Sequence, residues 1–237
     1  FNKNPTTEFR RKVDILVQNL SGVKILENHI EKALRDIKLD ESRFDQWTDE
    51  DKKEFASKCR ELSKPIIIAA NKCDMPTAEA NIKKMKEQFP DKIIIPCSAA
   101  SELALRKAAK QEILDYYPGD TDFKIIKDLN EKQITGLETI KTNVLTKFGG
   151  TGVQTCLDTA ILDVLDYIPI FPGGVKSLVD KNGNTLVDCF LLKNGSTTID
   201  FAYTLHTDMG DGFIRGVDVK TKQIIGKEHV LKSGDVI

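Results

Sequence analysis

The fold of this chain is decided by residues 65–74, which read PIIIAANKCD. The first six form a continuous apolar run without alternation, a pattern that predicts a strand buried on both faces of a sheet. The last four have the form NKxD and follow that strand directly. Because open α/β sheets bind ligands beyond the carboxyl ends of their strands, the NKxD motif is the first candidate for a binding site.

A second strand is predicted for residues 93–97, which read IIIPC. Periodicity predicts helices on either side of it, at about 77–89 and 102–114. The order strand, helix, strand, helix indicates a βαβ unit of a parallel sheet. Ser98 and Ala99 follow the second strand directly, so we expect them at the same sheet edge as the NKxD motif.

Helical segments precede and follow this unit. Residues 8–62 repeat apolar positions every three or four residues and contain a capping box at 48–51, which together predict three helices. Two further helices are predicted between residues 130 and 167, with their boundary at Gly149-Gly150.

The last part of the chain predicts a small mixed sheet. A Pro/Gly-rich joint at 169–174 leads into strands, and Asn182-Gly183 is a strong hairpin signal. A short helix is predicted at about 198–206, before strands near 213–219 and 223–225. One helix packed across a small mixed sheet is the ubiquitin-like β-grasp pattern.

The composition argues against several classes of protein. With 40% hydrophobic and 30% charged residues and a net charge of −1, the chain has no long-range attraction to DNA or membranes. It contains neither an apolar run long enough to span a membrane nor a secretory signal pattern, so we expect a cytoplasmic protein. No CxxC pair or Cys/His cluster occurs, so no metal site is expected. Free thiols are predicted for Cys59, Cys73, Cys97, Cys156 and Cys189.

The two strand-end motifs have the chemistry to recognise guanine. The Asp74 carboxylate offers two acceptor oxygens, and guanine presents N1–H and its 2-amino group side by side as donors. Adenine has an acceptor at N1 and no 2-amino group, so it would leave Asp74 unmatched. Lys72 can lay its methylene stem along the base and ribose, and Asn71 can tie the loop and reach the imidazole side of the base. A backbone N–H of Ser98-Ala99 could donate to guanine O6.

Other interpretations of the polar motifs stay open. The NKxD residues could be a turn that merely caps a strand. No GxxxxGK[ST] phosphate loop occurs in the sequence, so the chain as written is predicted to have no catalytic residues. We interpret residues 149–152 (GGTG), which have no following Lys, as a helix boundary. Residues 180–183 (DKNG) match DxxG by letters alone and lie in the predicted hairpin.

These motifs resemble those of a known family. NKxD followed one βα unit later by Ser-Ala resembles the fourth and fifth G-motifs of P-loop GTPases. Residues 191–197 (LLKNGST), 200–208 (DFAYTLHTD) and 212–216 (GFIRG) resemble a TGS domain. With helices before the NKxD strand, the chain resembles the YchF/Obg-like subfamily, and residues 148–154 and 171–175 resemble its archaeal-type branch.

The resemblance implies an α/β fold: the C-terminal part of a P-loop GTPase-type parallel sheet domain with a helical insertion, followed by a β-grasp TGS domain. The implied domains are the insertion at 1–63, the half G domain with a helical extension at 64–167, and the TGS domain at 168–237. GTP or GDP is the implied ligand, because relatives that take ATP replace the NKxD motif whereas this sequence keeps Asp74. Since the chain starts at Phe1, we expect a piece of a longer GTPase whose upstream segment binds the phosphates and Mg²⁺.

The resemblance also implies work with the ribosome in translation. Its TGS segment would contact RNA or the ribosome, and the candidate residues are Arg215, Lys220, Lys222 and Lys227. From Ile168 onward eight basic residues are balanced by eight acidic ones, so docking on protein is an equal alternative. Two other functions remain open: a non-catalytic RNA- or ribosome-binding module with the half G domain as scaffold, and a TGS GTPase of the developmentally regulated type.

Overall fold

The computed structural model describes residues 7–37, 46–173 and 188–237. Contacts divide the chain into two compact units. One contains the described residues up to Ile68 together with Lys83–Ile94, and the other contains Ala69–Ile82 and the described residues from Ile95 onward.

Three helices make up most of the first unit: α1 (Thr7–Leu20), α2 (Glu27–Ile37) and α3 (Asp49–Ser63). The predicted capping box is present at the start of α3, where the Thr48 hydroxyl accepts the Asp51 N–H and the Asp51 carboxylate accepts the Thr48 N–H. The apolar faces of the helices form one core, whose buried members are Val13, Ile25, Ile30, Ala33, Leu34, Trp47, Phe55 and Cys59.

The predicted strand-helix-strand-helix order is confirmed. Its elements are β1 (Ile67–Ala70), α4 (Ala78–Gln88), β2 (Ile93–Pro96) and α5 (Ala99–Lys110), and β1 is hydrogen-bonded to β2. Helix α5 begins three residues before the predicted start. The reason is that the Ser98 side chain caps it by accepting the Ser101 N–H.

The prediction that the first strand is buried on both faces is wrong. Ala69 is exposed, and the side chains flanking the strands are uncovered too, with Ile66 at 56% and Ile93 at 42% of full exposure. Within the described residues β1 neighbours β2 alone. In the described part of the chain β1 therefore lies at the edge of its sheet rather than in its centre, which leaves its side chains less covered than predicted.

The segment after α5 contains a short hairpin that the sequence did not predict. Strand β3 (Leu114–Asp115) pairs antiparallel with β4 (Lys124–Ile125), where a loop was expected from residue 116. Helix α6 (Glu131–Ile140) then continues as a wider π-helical turn to Thr146, and α7 (Val153–Asp158) does the same to Val164.

The predicted Pro/Gly joint at 169–174 is in part a strand. Strand β5 (Tyr167–Ile170) pairs antiparallel with β6 (Phe190–Lys193), and Pro169 lies opposite Leu191. Proline fits there because the N and carbonyl of one strand residue point to the same side. The Pro169 carbonyl accepts the Gly234 N–H at 2.8 Å, so the missing N–H faces away from β6 and breaks no bond of that ladder.

The last elements are short helices and strands around β5 and β6. They are α8 (Thr198–Leu205), α9 (Thr207–Asp211), β7 (Gly216–Val217) and β8 (Ile224–Ile225). Phe171 also bridges Val236 in parallel, so the final residues join the sheet. The hairpin predicted at Asn182-Gly183 lies outside the described residues. Within the described ranges, no helix has the length and apolarity needed to cross a membrane.

Candidate functional site

The NKxD and Ser-Ala motifs follow two neighbouring strands and lie side by side. The Cys97 N–H donates to the Ala70 carbonyl at 3.0 Å, and the Cys97 carbonyl accepts the Cys73 N–H at 3.0 Å. The NKxD turn after β1 is therefore fastened to the end of β2, where Ser98 and Ala99 begin.

Asn71 joins the two motifs through one atom. Its Oδ1 accepts the Lys72 N–H at 2.9 Å and the Ala99 N–H at 3.1 Å, across 28 residues of sequence. The prediction that Asn71 can tie the loop corresponds to this contact. The same side chain remains exposed at the sheet edge.

Asp74 is oriented by a buried hydroxyl. Its Oδ1 accepts the Ser98 Oγ–H at 2.8 Å, and Ser98 has no exposed surface, whereas Asp74 is half-buried. Ser98 Oγ also lies 2.8 Å from Ser101 Oγ. A hydroxyl has one proton, so when Ser98 donates to Asp74 the Ser101 hydroxyl donates to Ser98. The carboxylate keeps most of its acceptor positions for a ligand, because an ionised carboxylate has about four.

Lys72 occupies a left-handed backbone conformation. Its φ of 64° is a region that costs a non-glycine residue about 1–2 kcal/mol. The side chain is exposed, so its methylene stem is accessible to a planar base at this edge.

The two backbone amides proposed for guanine O6 already have acceptors within the chain. The Ser98 N–H donates to the Thr151 carbonyl at 2.8 Å, and the Ala99 N–H donates to Asn71 Oδ1. Ala99 is exposed and Ser98 is not. A bond from Ala99 to a base would therefore have to share or replace the Asn71 contact.

Sequence reasoning missed the loop at 149–152 as part of this region. The loop is a helix boundary, as predicted, but it also packs against the strand end and the first turn of α5. Gly149, Gly150 and Gly152 have φ of 74°, 141° and 76°, a region that favours glycine. The available signal was the sequence GGTG at 149–152. Because no Lys follows it, it could be distinguished from a phosphate loop, but the sequence does not reveal what the loop contacts.

A buried acid stabilises the contact between the loop and α5. Glu102, on the first turn of the helix, accepts the Thr151 hydroxyl at 2.5 Å and the Tyr116 hydroxyl at 2.7 Å on Oε2. Arg106 Nε donates to Oε1 at 2.5 Å. Burial acts to raise the pKa of Glu102, but the bonds from Thr151, Tyr116 and Arg106 outweigh it and leave the pKa below its ordinary value. Burial and the bond to Glu102 raise the pKa of Tyr116 to about 12.

The thiols near the site are unreactive in character. Burial raises the pKa of Cys73 and of Cys97 to about 11, so neither is a thiolate at neutral pH. All five cysteines are unpaired thiols. In the ranges that the structure describes, no group of His, Cys, Asp or Glu side chains is arranged to hold a metal ion.

The four basic candidates lie around the β7–β8 hairpin. Arg215 precedes β7 and Lys227 follows β8, while Lys220 and Lys222 lie in the turn between the strands; all four are exposed. Lys220 donates to the Gly234 carbonyl at 2.6 Å, and Lys227 lies 3.9 Å from the Glu228 carboxylate. These two side chains therefore have contacts within the domain.

Comparison with known proteins identifies two family models that match this chain. Residues 69–174 match the family model described as "Obg-like GTPase YGR210-like, G4 motif-containing domain", and residues 175–237 match the TGS domain. Over these residues the chain therefore carries the G4-motif domain of an Obg-like GTPase and a TGS domain. This confirms the predicted fold class and the predicted family resemblance.

Relatives extend the similarity over nearly the whole chain. A protein of Methanocaldococcus jannaschii described as an uncharacterized GTP-binding protein is 45% identical over 228 residues, which are 95% of this chain and 56% of the relative. One of Schizosaccharomyces pombe with the same description is 32% identical over 78% of this chain and 47% of its own length. The crystal structure of a GTP binding protein from Pyrococcus horikoshii superposes with a TM-score of 0.68 and 35% identity, over 94% of this chain and 59% of that one. The chain thus spans about half the length of the relatives that it matches.

Proposed function

We propose that this chain forms the base-recognition part of a guanine-nucleotide site, in which Asn71, Lys72, Asp74 and Ala99 contact the base and the buried Ser98 orients Asp74. The main support is the placement of Asp74, a half-buried carboxylate oriented by the buried Ser98 hydroxyl. It stands at the carboxyl end of a strand, in a chain whose relatives are described as GTP-binding proteins.

Guanine is the base that fits this carboxylate. Its N1–H and 2-amino donors match the two oxygens of Asp74, whereas adenine would place an acceptor against one of them. Hydrogen bonds to a charged group contribute about 1.5–3 kcal/mol each, so loss of the pair would discriminate strongly against adenine. In this proposal Lys72 covers the base with its stem, and the Ala99 N–H contacts O6 once it is shared between the base and Asn71 Oδ1.

We propose that the phosphates and Mg²⁺ bind to other residues of the whole protein. The chain has no GxxxxGK[ST] loop and spans about half of its relatives, so we propose that GTP hydrolysis depends on residues that it does not include. In this scheme residues 1–63 are a helical insertion, 64–167 the half G domain with its extension, and 168–237 the TGS domain.

The test is an NMR titration of the ¹⁵N-labelled 237-residue chain with GDP and with ADP. We expect amide shifts at residues 71–74 and 98–99 with GDP, at millimolar or weaker affinity because the phosphates have no binding loop, and much smaller shifts with ADP. Asp74→Asn is the matched variant, because an Asn amide offers a donor to the 2-carbonyl of xanthine. It should lose GDP and gain xanthosine diphosphate. Equal shifts with GDP and ADP, or none up to the solubility limit, would refute the proposal.

A second proposal concerns the TGS domain, and we infer that the whole protein works in the cytoplasm with the ribosome or structured RNA. Its support is the match of residues 175–237 to the TGS family and the exposure of Arg215, Lys220, Lys222 and Lys227. A protein partner for the same surface is the competing outcome. The salt dependence of RNA binding separates the two outcomes, because contacts to phosphate release counterions.

A further inference from the structure

Thr151 makes two hydrogen bonds to the same helical turn. Its carbonyl accepts the Ser98 N–H at 2.8 Å, and its hydroxyl donates to Glu102 Oε2 at 2.5 Å. Ser98 is the N-cap of α5, and Glu102 lies one turn further along that helix. Thr151 is 1% exposed, so both bonds are shielded from water.

The acceptor of the Thr151 hydroxyl is itself fixed from two other sides. Tyr116 donates to Glu102 Oε2 at 2.7 Å, and Arg106 Nε donates to Oε1 at 2.5 Å. A buried carboxylate whose two oxygens accept three hydrogen bonds has little freedom to rotate. The Thr151 hydroxyl is therefore bonded to a rigid group.

Gly152 brings the loop against β2 as well. A Cβ built at this position would overlap the Pro96 carbonyl oxygen and lie 3.1 Å from the Cys97 Cα. Backbone therefore packs directly on backbone here, which is possible because glycine has no side chain. The loop contacts three successive points, at Pro96, Ser98 and Glu102.

We infer that Thr151 is a positioning residue for base recognition, because it fixes Ser98 and, through the Ser98 hydroxyl, the direction of the Asp74 carboxylate. This inference rests on the proposed guanine site. It extends the set of specificity-determining residues to a loop about 50 residues from Ser98 in sequence. The side chain that acts there, Thr151, is buried and is not among the residues proposed to contact the base. The guanine preference of the site should depend on the Thr151 hydroxyl.

The experiment compares GDP with inosine diphosphate, which lacks only the 2-amino group, in the intact 237-residue chain by NMR titration. Because both nucleotides have the same phosphates, the ratio of their Kd values isolates the second bond to Asp74. We expect wild type to prefer GDP about tenfold. Thr151→Val removes the hydroxyl at nearly constant volume and should lower that ratio about threefold or more, with faster hydrogen exchange of the Ser98 amide.

Two variants separate positioning from general stability. Thr151→Ser keeps the hydroxyl and should restore the wild-type ratio. Tyr116→Phe removes another donor from the same Glu102 oxygen but leaves the Thr151 hydroxyl bonded to it, so it should lower stability and reduce the ratio less than Thr151→Val does. If Thr151→Val does not fold, Thr151→Ala removes the same hydroxyl without adding apolar surface beside Glu102.

The outcomes distinguish this inference from the proposed function beneath it. Equal binding of GDP and inosine diphosphate by the wild-type chain would refute the proposed guanine site itself. A wild type that discriminates, with an equal ratio in Thr151→Val, leaves the guanine site standing and overturns the role of Thr151. Equal loss of the ratio in Thr151→Val and Tyr116→Phe also overturns it, since the effect would then belong to the Glu102 network as a whole.

Discussion

At the scale of single residues, Glu102 is a buried acid kept ionised by its neighbours. Its side chain is 5% exposed, yet three donors reach its two oxygens. Such a group stabilises the fold in its charged form and becomes a source of instability once protonated. The stability of the region around the candidate site is therefore linked to pH.

The sign of that linkage follows from the direction of the pKa shift. The folded pKa of Glu102 lies below its ordinary value of 4.5, so its contribution is fully present above pH 4.5 and is lost as pH falls through the lower folded pKa. Glu102→Gln cannot titrate. We expect it to be less stable than wild type by about 1–3 kcal/mol at neutral pH, and the difference to shrink below pH 4.5.

The measurement is urea unfolding of both proteins between neutral pH and pH 3, followed by circular dichroism. A difference in unfolding free energy that stays constant across this range would contradict the assigned ionisation of Glu102.

At the scale of elements, the loop at 149–152 offers a matched pair of glycines. Gly149 and Gly152 have nearly the same φ, 74° and 76°, but a Cβ at Gly149 meets nothing within 4 Å. Gly149→Ala should therefore cost only the left-handed backbone penalty, about 1–2 kcal/mol. Gly152→Ala adds the overlap with Pro96, so we expect it to cost about 1–3 kcal/mol more.

Thermal unfolding of both variants measures this difference. Their amide spectra supply a second comparison, in which Gly152→Ala should shift residues 96–99 and Gly149→Ala should not. Equal destabilisation by the two substitutions would show that the loop does not depend on its contact with β2.

The elements that the sequence predicted are those whose signals are local. The capping box at Thr48 and the apolar runs of β1 and β2 depend on neighbouring residues, so pattern was sufficient. Pro169 was placed in a joint because proline disfavours strands, and the ladder that tolerates it comes from residues about 22 and 65 positions later. Non-local pairing of this kind leaves no trace in a short window of sequence.

The candidate site also combines local features, which the sequence predicts, with non-local ones, which it does not. NKxD and Ser-Ala were identified because each follows a strand directly, and their adjacency follows from the βα order. Neither the bond from Thr151 to Ser98 nor the burial of Glu102 could be predicted, because both depend on a loop that returns to the sheet edge after some 50 residues. The assignment of these residues to guanine remains a prediction.

At the scale of the whole molecule, charge gives no preference for RNA. There are 35 basic and 36 acidic residues, so any affinity for RNA has to arise from local clusters. Arg215 and Lys227 are suitable probes, because Lys220 is bonded to the Gly234 carbonyl and its reversal would disturb the fold.

We expect reversal of Arg215 and Lys227 to Glu to weaken binding of structured RNA. The slope of log K against log salt concentration should fall by about one for each residue that contacts phosphate. Reversal of the exposed Lys107 and Lys110 on α5 changes the net charge equally and serves as the control. Equal losses in the two double variants would indicate nonspecific attraction, and no loss in either would favour a protein partner.

The contact between Gly152 and Pro96 has a consequence for how glycine-rich strings are recognised in other chains. A scan for nucleotide-binding motifs gives weight to glycines that stand just before a helix, as Gly149, Gly150 and Gly152 do here. In this molecule Gly152 is required because a side chain there would overlap the neighbouring strand. This requirement does not depend on a phosphate. A pattern search that asked whether a predicted strand end could occupy the space beside each glycine would separate such a structural string from a true phosphate loop.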